Sequence, residues 1–66
     1  MINEVNKLIG FSSQILTFRA TNNYTQKELS EKIGVSRDVI INAEKGNRNI
    51  RAVNKRKIEI YLDKNS

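Results

Sequence analysis

Apolar residues recur at helical spacing in the centre of the chain. Leu29 and Ile33 lie four residues apart, and Ile40 and Ala43 lie three apart. Residues at these separations share one face of an α-helix, because a turn takes about 3.6 residues. The pattern predicts two short helices with inward-facing apolar pairs, over residues 26–33 and 37–45.

The two predicted helices are separated by a three-residue turn, Gly34, Val35 and Ser36. Glycine can adopt the left-handed conformation that ends a helix, valine can place its side chain in the corner, and serine can cap the next helix. Thr25 and Glu28 have the spacing of a capping box at the start of the first helix. This order of elements is typical of a helix-turn-helix motif, whose second helix can enter the major groove of DNA.

A further helix is predicted over residues 11–22, ahead of the motif. Phe11, Ile15 and Phe18 follow a helical step, and Leu16 widens the apolar face. Two consecutive asparagines end the pattern, and asparagine tolerates the left-handed conformation of a helix end better than most residues.

The first ten residues also carry apolar side chains at helical spacing, namely Ile2, Val5 and Ile9, and the pattern stops at Gly10. It fits either a separate amphipathic helix or an extension that continues into the next helix. We expect this segment to have a structural role, covering apolar surface on the core or at a dimer contact.

Two structures are open for the end of the chain. Residues 51–63 have a helical pattern, whereas residues 57–62 also alternate with the period of two that is typical of a half-buried strand. We favour the helix. Its expected apolar members are Ala52, Val53, Ile58, Tyr61 and Leu62.

Residues 25–46, TQKELSEKIGVSRDVIINAEKG, resemble the core of the phage repressor, Cro and Xre-type helix-turn-helix domains. The similarity covers residues 15–62 without a gap. It implies an all-α fold of the lambda repressor-like DNA-binding type, a small bundle of four to five helices in one domain over residues 1–66. The positions that carry the resemblance are Thr25, Gln26, Leu29, Ser30, residues 33–36, Ile40 and residues 44–46.

The resemblance implies four base-reading side chains on the outward face of the second motif helix: Arg37, Asp38, Ile41 and Asn42. Arg37 can donate two hydrogen bonds to guanine, and Asn42 can pair in the same bidentate way with adenine. Asp38 either accepts a hydrogen bond from cytosine, orients Arg37, stabilises the amino end of the helix through the helix dipole or is simply solvated. Ile41 either contacts the methyl group of thymine or belongs to the core or a dimer contact.

Phosphate contacts are implied at the start of the first motif helix and in the polar loop after the second. Free amides and the helix dipole favour an anion at the helix start, and amides, asparagines and an arginine can donate from the loop. The later basic run over residues 55–57 is either a further phosphate contact or a solubilising helix face. The expected phosphate-binding residues are Gln26, Lys27, Ser36, Lys45, Asn47, Arg48 and Asn49.

Arg19 interrupts the apolar pattern of the predicted helix over residues 11–22. By the resemblance, it forms a structural ion pair with Glu44, near the end of the recognition helix, and this pair clamps the two helices together. Direct contact between Arg19 and DNA is the alternative.

The formal net charge of +5 lies mostly in the second half, since residues 1–36 carry +1 and residues 37–66 carry +4. A basic face beside a helix-turn-helix suits DNA, although a solvated surface has the same composition. Cysteine and histidine are absent. Without a thiolate, an imidazole or a clustered set of carboxylates, we expect no metal site, no cofactor and no enzymatic activity. No membrane span or secretory signal is recognisable, so a cytoplasmic location is expected.

The expected function is a sequence-specific transcriptional regulator, a repressor, which binds palindromic double-stranded DNA as a homodimer. The alternative is an antitoxin-like interaction module that binds a protein partner such as a toxin or RNA polymerase. That alternative predicts an exposed apolar patch over residues 1–9 or 58–62. RNA binding lacks support because no stacking aromatic residues accompany the basic ones.

Overall fold

Four helices follow one another along the chain in a computed structural model, which describes residues 4–47 and 49–65, with side chains from Gly10 onward. They are α1 (Glu4–Asn22), α2 (Gln26–Ile33), α3 (Arg37–Glu44) and α4 (Ala52–Lys64). All regular secondary structure in these residues is helical, which confirms the predicted all-α fold. The helical alternative for residues 57–62 is therefore correct, and the strand is wrong.

The amino-terminal segment is continuous with the first core helix. α1 passes through Gly10 without a break, so the extension is the correct one of the two alternatives. A glycine inside a helix costs about 1 kcal/mol relative to alanine, which lowers stability without ending the helix. The expected cover of apolar surface by Ile2, Val5 and Ile9 lies outside the described side chains.

The helix ends around the turn form as their sequence predicts. Thr25 Oγ1 accepts from the Glu28 amide at 3.0 Å, and Glu28 Oε1 accepts from the Thr25 amide at 2.8 Å, which completes a capping box. Gly34 ends α2 with φ of 92° in the left-handed region. Ser36 Oγ then accepts from the Val39 amide at 3.3 Å and starts α3. Local hydrogen bonds and the left-handed glycine therefore end α2 and start α3 at this corner.

The core takes one fully buried aliphatic side chain from each helix: Ile15, Leu29, Ile40 and Ile58, all at 0% exposure. Ala43 and Leu62 are also buried and complete the cluster. A set of half-buried side chains packs around it, and this set includes Ile50 from the loop before α4. The packed residues at its edge are Phe11, Phe18, Tyr24, Ile33, Val35, Val39, Ile50 and Tyr61.

Three residues that the sequence analysis counts among the apolar positions of α1 and α4 are exposed. Leu16 is 45% exposed and Val53 is 57% exposed, and Ala52 is also exposed. In α4 the inward face is set by Ile58 and by Leu62, which lies one turn later. Val53 precedes Ile58 by five residues, which places it about 140° around the helix. A count of apolar residues in the segment overestimates the width of the buried face.

Aromatic rings join α1 to α4 and to the loop before α2. The Phe18 ring meets the Tyr61 ring edge to face at 5.7 Å between centroids and lies 6.1 Å from the Tyr24 ring. Such pairs add a preferred geometry to the apolar burial. Tyr24 is half-buried and packs against the edge of the core.

We expect Ile15→Ala to lower the free energy of unfolding by about 2–5 kcal/mol, because it leaves a cavity where the four helices meet. The neighbouring Leu16→Ala is the matched control and should change stability by less than about 0.5 kcal/mol, since Leu16 is exposed. Urea denaturation followed by circular dichroism measures both. Equal losses for the two variants would contradict this assignment of the core.

Candidate nucleic-acid interface

The outward face of α3 is positioned from both ends of the helix. Its inward residues, Ile40 and Ala43, lie in the core and fix which side of α3 faces solvent. At its start, the Ser36 cap and Gly34 set the angle between α2 and α3. At its end, Glu44 contacts the two preceding helices.

The Glu44 carboxylate receives three hydrogen bonds from two helices. Arg19 Nε of α1 donates to Oε2 at 2.7 Å, and Arg19 Nη2 donates to Oε1 at 3.2 Å. Gln26 Nε2 of α2 donates to the same Oε1 at 2.9 Å. The pairing of Arg19 with Glu44, which the resemblance implies, is thus present as a bidentate ion pair. One carboxylate ties α1, α2 and α3 together.

Burial makes this cluster sensitive to the loss of a member. The Glu44 side chain is 7% exposed and the Arg19 side chain 26% exposed. Glu44 is also the last residue of α3, where the helix dipole disfavours a negative charge. The cation therefore compensates both desolvation and the dipole. Arg19 Nη1 further donates to the Tyr24 carbonyl at 3.3 Å, which anchors the loop between α1 and α2.

The four predicted base-reading residues divide into two exposed and two half-buried ones. Arg37 and Asp38 are exposed in the first turn of α3. Ile41 and Asn42, in the second turn, are half-buried. Part of the Ile41 side chain is therefore accessible to a ligand and part packs against the protein. The structure thus brings all four predicted residues onto one short helix.

Asn42 is connected to the loop after α3 by a chain of asparagines. Asn47 Nδ2 donates to Asn42 Oδ1 at 3.4 Å, and Asn47 Oδ1 accepts from the Asn49 amide at 2.9 Å. An amide oxygen has two lone pairs, so Asn42 retains one acceptor site and both of its donors. This is the set that bidentate pairing with adenine requires. The contact orients Asn42 without blocking it.

The same loop uses several of its backbone amides internally. The amides of Gly46 and Asn47 donate to carbonyls of α3, and the Asn49 amide donates to Asn47 Oδ1. These three amides therefore already have acceptors within the protein. Side-chain donors of Asn47 and Asn49 and the exposed Lys45 are still available there. Arg48 lies outside the described residues.

At the start of α2, the predicted phosphate contacts have different surroundings. Lys27 is exposed, whereas Gln26 is half-buried and bonded to Glu44. The carboxamide of Gln26 has a second N–H hydrogen, which its bond to Glu44 does not use. Gln26 therefore lies between the ion pair and the surface beside α2. Ser36, another predicted phosphate contact, lies at the start of α3, where its hydroxyl serves as the cap.

Sequence reasoning missed the bond from Gln26 to Glu44 and the bond from Asn47 to Asn42. Neither follows from helical spacing, because the first joins residues eighteen apart and the second crosses a helix end. The available signal was chemical: polar residues flanking a buried glutamate, and an asparagine-rich loop directly after the helix.

We expect Arg19→Met to lower the free energy of unfolding by about 3–5 kcal/mol, because it leaves the buried Glu44 carboxylate without a cation. The double variant Arg19→Met with Glu44→Leu should recover a large part of this loss by removing the charge as well. Thermal and urea unfolding compare the two. A double variant no more stable than the single one would show that the stranded charge is not the cause.

Comparison with known families agrees with this geometry. A helix-turn-helix family model matches residues 15–65, which include the last eight residues of α1 and all of α2, α3 and α4. No curated protein and no solved structure is a significant match. No helix in the described part of the chain is long and apolar enough to cross a membrane. The chain belongs to the Cro/C1-type helix-turn-helix family of DNA-binding transcription regulators.

Proposed function

We propose that the protein is a repressor that binds a palindromic operator as a homodimer, with α3 in the major groove. The observation that carries this proposal is the exposed polar face of α3, which is held by the core, by the Ser36 cap and by Glu44. A rigid helix with its polar face free matches the shape and the hydrogen-bonding groups of the major groove.

The first turn of α3 supplies the strongest base contact in this proposal. Arg37 is exposed and can span the O6 and N7 acceptors of guanine. Asp38 beside it accepts from cytosine N4 or keeps the guanidinium in position. One turn later, Asn42 pairs with adenine, and Asn47 keeps its carboxamide oriented. The accessible part of Ile41 contacts a thymine methyl group.

Phosphates on either side of the groove supply most of the affinity. Gln26 and Lys27 contact one phosphate at the start of α2, where free amides and the helix dipole favour an anion. Lys45, Asn47 and the asparagine-rich loop contact the backbone on the other side. Arg48 and Asn49 belong to the same loop. These contacts set affinity and salt dependence, and the base contacts set the sequence.

A homodimer follows from the size of the reading surface. α3 has eight residues and is about 12 Å long, so one copy reads only a few base pairs. A two-fold dimer doubles the readout and places its two recognition helices about 34 Å apart, one turn of DNA. Repression then results from occupancy of a promoter.

Selection of bound molecules from random duplex DNA, followed by sequencing, tests the proposal. A palindrome with half-sites about one helical turn apart is the expected result. An asymmetric single site would contradict the homodimer. A pool without an enriched sequence would contradict base reading by α3.

We expect Arg37→Ala to weaken binding to the selected duplex by about 1–3 kcal/mol for each half-site and to relax preference at one base pair of each half-site. Binding to random duplex should change much less, because a base contact is lost and no phosphate contact. Fluorescence anisotropy with both duplexes measures the difference. Equal losses on the two would assign Arg37 to the phosphate backbone instead.

We expect Lys45→Gln to weaken binding to specific and random duplex alike, and to reduce the slope of log affinity against log salt by about one for each copy in the dimer. Lys64→Gln, in the last turn of α4, removes the same charge at a position without a proposed phosphate. It should leave the slope unchanged. The same slope for both variants would show that Lys45 acts only through net charge.

A further inference from the structure

The solvent side of α4 combines exposed aliphatic and basic residues. We define the outer α4 face as Val53, Arg56, Lys57, Ile60 and Lys64, which share one side of the helix by its period of about 3.6 residues. All five are exposed. The face contributes nothing to the core, and the proposed DNA contacts do not use it.

Val53 and Ile60 form a short apolar stripe on this face. They lie seven residues apart and are 57% and 48% exposed. Among the residues whose side chains are described, they are two of the three exposed large aliphatic residues, and Leu16 on α1 is the third. Side chains seven residues apart lie about 20° from each other around a helix, so a single partner element can contact both.

The basic residues flank that stripe on both sides. Arg56 lies on one side, and Lys57 and Lys64 on the other, and within the described residues none of the three has a hydrogen-bond or ion-pair partner. The two carboxylates of α4, Glu59 and Asp63, line the groove between α4 and α1 instead. The outer α4 face itself thus carries three cations and no carboxylate, and the carboxylates lie beyond Arg56 around the helix, with Asp63 next to it.

This charge distribution selects among possible occupants. A second copy of the same face would bring the cations of Arg56 and Lys57 together across a two-fold axis, which like-charge repulsion opposes. A phosphate backbone offers nothing to Val53 and Ile60. A lipid surface needs a wider apolar face, with aromatic or leucine residues, than two half-exposed aliphatic side chains provide. An acidic protein helix satisfies both features.

We propose that the outer α4 face docks an acidic amphipathic helix of a partner protein. Aliphatic residues of the partner pack between Val53 and Ile60, and its carboxylates flank them and pair with Arg56, Lys57 and Lys64. The contact is small, so it is weak and transient, and salt reduces its association rate. α4 packs chiefly on α1 and α2, so the partner can bind while the outward face of α3 contacts DNA.

The test uses the full chain and a synthetic helical peptide of about three heptads, with leucines at one face and glutamates beside them. Fluorescence anisotropy should detect binding that weakens with salt. Val53→Ser combined with Ile60→Ser should weaken it about tenfold, and both positions are exposed, so the fold should persist. Leu16→Ser, which changes an exposed aliphatic residue on another helix, should leave it unchanged. Arg56→Glu combined with Lys57→Glu should abolish it.

Several results would overturn the proposal. One is equal binding of a peptide in which lysines replace the glutamates, and another is equal weakening by Leu16→Ser. Binding of the wild-type chain to phosphatidylserine vesicles in place of the peptide would assign the face to lipid. A lower sedimentation mass of the serine double variant would assign it to a second copy. Loss of affinity for random duplex in the serine double variant would assign the outer α4 face to DNA. Unchanged DNA binding would keep this face separate from the proposed DNA-binding surface around α3.

Discussion

The orientation of α3 depends on one buried carboxylate. Glu44 ends α3, is nearly inaccessible to water and accepts hydrogen bonds from Arg19 of α1 and Gln26 of α2. Its position at the carboxyl end of a helix and its burial both disfavour the charge. The charge is tolerated because a bidentate guanidinium and an amide meet it in fixed geometry. Burial of Ile40 and Ala43 fixes which side of α3 faces solvent, and these directional bonds hold its carboxyl end against α1 and α2.

Because Gln26 takes part in this cluster, the start of α2 is coupled to the end of α3. The two places where phosphate contacts are proposed, the α2 start and the loop after α3, are thus joined through Glu44 and its neighbours. The loop is in turn connected to Asn42 through Asn47. Movement of either proposed phosphate contact would therefore also move the proposed base-reading residues of α3. This coupling gives a physical reason for a rigid interface in a chain of only 66 residues.

The parts of the fold that could be predicted are those set by local chemistry. The capping box of Thr25 and Glu28, the left-handed Gly34 and the Ser36 cap depend on residues within three positions of one another. The pair of Arg19 with Glu44 required the family resemblance, since nothing in the spacing joins residues twenty-five apart. Leu16 and Val53 are apolar residues of predicted helices and yet are exposed, because apolar character by itself does not give the angular limits of the buried face. The continuity of α1 through Gly10 was left open because one glycine weakens a helix without ending it.

The proposed DNA contacts lie on the outward face of α3, at the start of α2 and in the loop after α3. The most direct measurement is a titration of ¹⁵N-labelled protein with the selected operator duplex, followed by amide chemical shifts. The account predicts that the largest changes fall in the first two turns of α3, at the start of α2 and in the loop after α3. Amides in the later turns of α4 should keep their shifts. Changes confined to α4 or to the groove between α1 and α4 would contradict it.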